Sequence, residues 1–173
     1  MHQIFTSPGV SILTVQVDLM HIKHLGSDKY MYGSVLYLLC YTVMESLEPL
    51  KNLKTIAREM RLYYALNRTP TRYRYMNRLG MFVKKKGLPC LRGRAAEVKH
   101  FGKALESTWR NHMNRNLEIH QKVALMLKMN NQVETVLDMH KGKFNAPEPD
   151  ALTLEASAFS AMQIQQELRQ FFA

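Results

Sequence analysis

Ile119, Val123, Met126, Asn130, Val133, Leu137 and His140 recur at spacings of 4, 3, 4, 3, 4 and 3. Only an α-helix gathers such positions on one face, so the region is predicted to be a long helix with an apolar seam, stopped near Gly142. A seam of that kind has to be covered. Another helix of the same chain can cover it, as in a bundle, or a second chain can. Asn130 sits mid-seam, where one polar residue can fix register and oligomeric state. Ile119, Val123, Met126, Asn130, Val133 and Leu137 are therefore a candidate interaction surface, and self-association is one expectation.

The other periodic stretches are also helical. Residues 30–48 form an apolar run that reads as a buried helix broken near Pro49. Leu50, Leu53, Ala57, Met60 and Tyr64 make a stripe, widened by Ile56 and Tyr63, that should end near Asn67. Lys51, Lys54, Arg58 and Arg61 lie about 100° round the same helix. Val98, Phe101, Leu105, Trp109 and His112 share a face and predict a helix over 94–113. The short connection Asn114 to Asn116 then folds it back on the seam helix, which should bury Trp109, Phe101, Leu105, Val123 and Leu127 together. After a loop at 142–149, Asp150 is expected to cap a last helix through Leu154, Ala158, Met162, Leu168 and Phe172.

Two stretches are ambiguous. In residues 70–89, Thr69 and Pro70 can start a helix with Tyr73, Met76, Gly80 and Val83 on one face. The alternative is two strands, RYRYM and MFVK, and the helix is the favoured reading. In residues 1–29, Leu13, Val15, Val17 and Leu19 alternate as a strand would, while Val10, Leu13, Val17, Met20 and His24 fit helical spacing. The fold expected is all-α: an irregular bundle of five to six helices, at least half helical. Residues 30–173 are expected to form a single helical domain. The N-terminal segment 1–29 is of uncertain state and can lie outside the folded unit.

Charge carries the functional reading. From Met60 to Ala96, 37 residues contain no Asp or Glu but ten cations. Residues 51–115 hold 17 basic and 3 acidic side chains, the remainder 7 and 11, so the net +10 sits mid-chain. Such asymmetry calls for a polyanionic partner, either nucleic acid or an acidic protein surface. Lys and Arg gain by releasing counterions condensed on phosphates, and unpaired bases stack on aromatic rings. Arg61, Arg68, Arg72, Arg74, Arg78, Lys84, Lys85, Lys86, Arg92 and Arg94, with Tyr73 and Tyr75 among them, form the candidate nucleic-acid-binding set. Tyr63, Tyr64 and Phe82 are interleaved too. The expected function is non-enzymatic binding of a polyanion, most readily nucleic acid with little sequence preference. The alternative is a helical protein-interaction module that docks through the heptad or Met-rich surface.

Other classes find no support in the residues. No GxSxG, paired-carboxylate or Gly-rich phosphate pattern is present, so no catalytic residue is assigned. The seven His and two Cys match no zinc spacing, so no metal or cofactor is expected. Cys90, beside Arg92 and Arg94, is at most a candidate reactive thiol. Cys40 and Cys90 cannot make a disulfide framework, which fits a reducing, intracellular setting, nuclear or cytoplasmic. KKKGLPCLRGR, at 84–94, resembles a nuclear-import signal in composition. The uncharged apolar run Tyr30 to Met44 is 15 residues, short of the roughly 17–25 a membrane span needs.

Overall fold

The computed structural model describes residues 18, 20–84, 86–141 and 146–171, with side chains as far as Leu168. Among the described residues six α-helices carry the fold: α1 (Lys29–Leu38), α2 (Pro49–Leu66), α3 (Ala95–Lys99), α4 (Phe101–His112), α5 (Glu118–Met139) and α6 (Glu148–Phe171). Two π-helical segments, Met20–Asp28 and Leu39–Val43, flank α1, and a 3-10 turn spans Leu79–Met81. Helices take up well over half of the described residues, and no strand occurs among them. The architecture is an irregular all-α bundle. The proposed strand at 10–19 lies almost wholly outside the described residues.

Packing runs from α6 to α5, α5 to α4, and α4 to α2, with the first π-helical segment against α1 and α3. Trp109, Phe101, Leu105, Val123 and Leu127 are all buried in one apolar cluster, together with Leu36, Leu53, Ile56, Met60 and Phe82. The Trp109 indole N–H donates to the His120 carbonyl at 3.0 Å, which fastens α4 to the first turn of α5. Leu53, Ile56, Ala57, Met60 and Tyr64 turn α2 inward, while Lys51, Lys54, Arg58 and Arg61 are exposed.

The seam of α5 is used within the molecule. Val123, Met126, Asn130 and Val133 are buried, and Ile119 and Leu137 are half-buried. The Asn130 amide donates to Tyr32 Oη at 2.8 Å and to Asp28 Oδ1 at 3.2 Å. Replacing Asn130 with Leu strands two buried polar atoms, so it should cost about 1–3 kcal/mol. Light scattering should give the same mass for wild type and Asn130→Leu. A changed mass would mean the seam pairs chains.

Three elements depart from the sequence reading. Residues 70–89 are not a helix but a mostly irregular segment around the 3-10 turn. A helix there would stack Arg74 over Arg78 at i, i+4 with no acid nearby, and Gly80, Gly87 at φ 87° and Pro89 interrupt it. Helix 94–113 is two helices, divided at His100 (φ −82°, ψ −1°). That bend sets Gly102 against Tyr32 and Asn131, where a Cβ would come within 2.3 Å of Tyr32 Oη. The last helix begins at Glu148, ahead of Asp150. Asp150 is therefore inside the first turn, with its carboxylate 2.8 Å from His140 Nε2. In α6, Ser157, Ala161 and Leu168 are buried, whereas Met162 is 63% exposed. Small side chains at 157 and 161 let α5 come close.

Candidate functional site

The acid-free segment starts where α2 stops. Thr69 N–H donates to the Tyr64 carbonyl at 3.1 Å and Arg68 N–H to the Ala65 carbonyl at 3.4 Å. This is the Schellman arrangement, and Arg68 (φ 49°) holds the left-handed position usually given to glycine. Pro70 follows and prevents any further helical turn.

From there to Arg94 the chain is pinned to the bundle by a few inward side chains. Tyr73, Met76, Phe82, Cys90 and Leu91 are buried. The Tyr73 ring meets Phe101 edge-on at 5.2 Å. Backbone bonds close the return: Cys90 N–H to the Phe82 carbonyl at 2.8 Å, and Arg92 N–H to the Met81 carbonyl at 2.7 Å. Leu91 N–H reaches α1 itself, donating to the Lys29 carbonyl at 2.8 Å. Gly33 makes that approach feasible, because a Cβ there would lie 2.7 Å from the backbone nitrogens of Cys90 and Leu91.

The cations lie on the outside of this segment. Arg61, Arg68, Arg72, Arg74, Arg78, Lys86, Arg92 and Arg94 are exposed, and Lys84 is half-exposed. Lys85 lies outside the described residues. A Cβ on Gly93 would fall 2.0 Å from Tyr73 Oη, so the backbone at Gly93 rests on the Tyr73 ring. That contact seats the backbone between Arg92 and Arg94 on the tip of the Tyr73 side chain, whose chain neighbours are Arg72 and Arg74. Lys84 approaches α1, with its ammonium 5.1 Å from the centre of the Tyr30 ring. Among the described residues, none of these cations enters an ion pair. The described pairs instead join residues such as Lys99 with Asp138, Arg110 with Glu106, and Lys122 with Glu118 and Glu167.

The aromatic half of the candidate set divides. Tyr75 is 77% exposed, but Tyr73 is buried and cannot stack on a base. Tyr64 and Phe82 are core and Tyr63 is half-buried. Three tyrosines that the charge pattern did not single out are exposed instead: Tyr30, Tyr37 and Tyr41. The rings of Tyr37 and Tyr41 stack at 4.4 Å and 20°. Their spacing of seven and four within a predicted helix was the available signal.

Cys90 is buried beneath the arginines, against the idea of an accessible reactive thiol. Burial also pushes the Cys40 thiol up to about 12. No group of three or more His, Cys, Asp or Glu among the described residues is placed to hold a metal. None of the described helices is long and apolar enough to cross a membrane. One depression of about 490 Å³ is an open groove between α4 and α5, bordered by Tyr63, Lys103, Arg110 and Lys128.

A second polar centre is interior. Lys23 Nζ is 2.7 Å from Asp28 Oδ2, and His24 Nε2 is 2.9 and 3.0 Å from the two oxygens of Glu134. All four residues are buried. Burial raises the Asp28 carboxyl above its ordinary value, against the pull of Lys23. Burial also acts to raise Glu134, but the His24 hydrogen bond and the Lys23 charge outweigh it and leave that carboxyl lowered. The ionised Glu134 therefore accepts, and the His24 ring nitrogen donates. These contacts tie the first π-helical segment to α5. No protein family, curated protein or solved structure matches this chain.

Proposed function

We propose that the protein binds nucleic acid through the phosphate backbone, with little preference for sequence. One observation carries this reading. The described cations of residues 61–94 form no side-chain ion pair, although the chain holds 14 Asp and Glu and Glu97 accepts from the Arg94 backbone N–H at 2.8 Å. Unpaired cations held close together repel one another, and closely spaced phosphates relieve that repulsion while releasing counterions. Arg72, Arg74, Arg92 and Arg94, all exposed, form the centre of the proposed surface. Arg61, Arg68, Arg78, Lys84 and Lys86 extend it. Nothing in the segment presents a helix or ribbon shaped to read base edges, which is why the expected sequence preference is slight.

The test is a triple substitution, Arg72, Arg74 and Arg78 to Gln. These side chains are exposed, so circular dichroism and melting should match wild type. Affinity for a labelled oligonucleotide should fall at least tenfold at low salt, and the salt dependence should flatten by roughly one unit of log-log slope per lost contact. Equal binding by the folded triple mutant would refute this choice of residues. A second reading is docking to a protein. It is favoured by an exposed apolar row on α6, Leu152 at 58%, Phe159 at 63% and Met162 at 63%, rather than by the covered seam of α5.

A further inference from the structure

We infer that the nucleic acid is single-stranded, and that the tyrosine row of α1 and the π-helical segment after it stacks its bases while the basic segment holds its phosphates. This rests on the proposed nucleic-acid reading and adds the class of ligand and a second set of contact residues. Tyr30 and Tyr37 on α1 and Tyr41 on the π-helical segment that continues it are 38%, 38% and 41% exposed, while Met31, Tyr32, Val35, Leu36 and Leu39 of the same stretch are buried. A single exposed tyrosine is ordinary, but three on one face form a contiguous aromatic row. Tyr30 and Tyr37 are two turns apart, about 10.5 Å along the axis. Tyr37 and Tyr41 are already stacked ring on ring at 4.4 Å, so an unpaired base can continue an existing stack without rearranging either side chain.

The row is joined to the cations. Lys29 and Lys84 approach the Tyr30 ring at 5.3 and 5.1 Å, and the Leu91 N–H to Lys29 carbonyl bond lays the basic segment along the start of α1. The charge is one-sided. Glu45 and Glu48, both exposed, follow the far end of the row beyond Tyr41. Phosphates are therefore held at the Tyr30 end, and the Tyr37–Tyr41 end contributes stacking. A duplex keeps its bases paired and its outer surface charged, so it can use the cations but not the tyrosines. Only a strand with unpaired bases engages both.

Two probes separate this inference from the reading beneath it: a labelled oligouridylate and an RNA duplex of equal length, followed by fluorescence anisotropy at low salt. Wild type should bind the single strand more tightly than the duplex. Tyr37→Ala with Tyr41→Ala should weaken single-strand binding about tenfold, since stacking contributes on the order of a tenfold factor or more per base. Duplex binding should stay within about twofold, because the phosphate contacts are intact. Tyr37→Phe with Tyr41→Phe keeps both rings and should restore single-strand affinity, which also guards against a folding defect in the alanine variant. Undiminished single-strand binding by the alanine pair overturns the inference and leaves the row to a protein partner, with the nucleic-acid reading intact. Failure of the wild type to bind either probe defeats both.

Discussion

Trp109→Ala is expected to lower stability by about 3–5 kcal/mol. The indole is fully buried, and it joins α4 to α5 both by packing and by its hydrogen bond to the His120 carbonyl. The His120 ring also meets it edge-on at 5.4 Å. Truncation therefore leaves a cavity and removes the donor from that carbonyl at the same time. Trp109→Phe should recover much of the packing and none of the hydrogen bond, placing it between wild type and Ala. Trp109 is the single tryptophan of the chain, so unfolding has to be followed by far-UV circular dichroism rather than indole fluorescence. A urea midpoint within error of wild type would mean that the α4–α5 contact is not the centre of the core.

Glu134→Ala should cost about 3 kcal/mol near neutral pH, because removing one partner of a buried charged pair leaves the other uncompensated. Here the bereft groups are His24, bonded to both Glu134 oxygens, and Lys23, whose ammonium is 3.8 Å away and still faces Asp28. The effect should depend on pH in a defined direction. The Glu134 carboxyl is lowered from its ordinary 4.5, so its contribution is present above that value and is lost as pH falls through the folded-state value. Asp28 is raised from 3.8, so its contribution runs the other way: present below 3.8 and lost as pH rises through its folded-state value. Glu134→Ala should therefore lose less than wild type on acidification below about pH 4.5. Urea midpoints at neutral and acid pH check this. Parallel pH profiles for the two proteins would show that Glu134 does not contribute as an ionised group.

Local periodicity revealed the helices that bury a regular face. In α2 the apolar stripe, the Thr69-Pro70 stop and the outward basic stripe could all be read from residues within one helix length. In α5 the heptad spacing located the buried face, including Asn130. What could not be read depended on contacts distant in sequence. Lys23, His24 and Asp28 look like solvated charges until Glu134, 110 residues from His24, arrives beside them. Tyr73 and Tyr75 are two residues apart with the same cationic neighbours, yet one is core and the other exposed. Phe101 and Gly93, both remote, decide that difference. The same limit applies to the cations. Their composition was visible, but which neighbours the segment turns inward depends on remote residues, as Tyr73 does on Phe101 and Gly93. Tyr30, Tyr37 and Tyr41 recur at helical spacing, but residues 30–48 read as a buried helix, and the exposure of these three is visible only in the fold. An apolar stretch with regular tyrosines ordinarily signals core, and only exposure distinguishes the two.

The most direct measurement is the affinity of the wild-type protein for a single-stranded oligonucleotide across a range of salt concentrations. Each phosphate contact on a single strand contributes roughly 0.7 to the slope of log affinity against log salt, so about five contacts should give a slope near −3.5. A steep negative slope, flattened by the Arg72, Arg74 and Arg78 substitutions, is the result expected if the unpaired cations of residues 61–94 hold phosphates. Absence of binding at low salt, or binding that does not respond to salt, would contradict it.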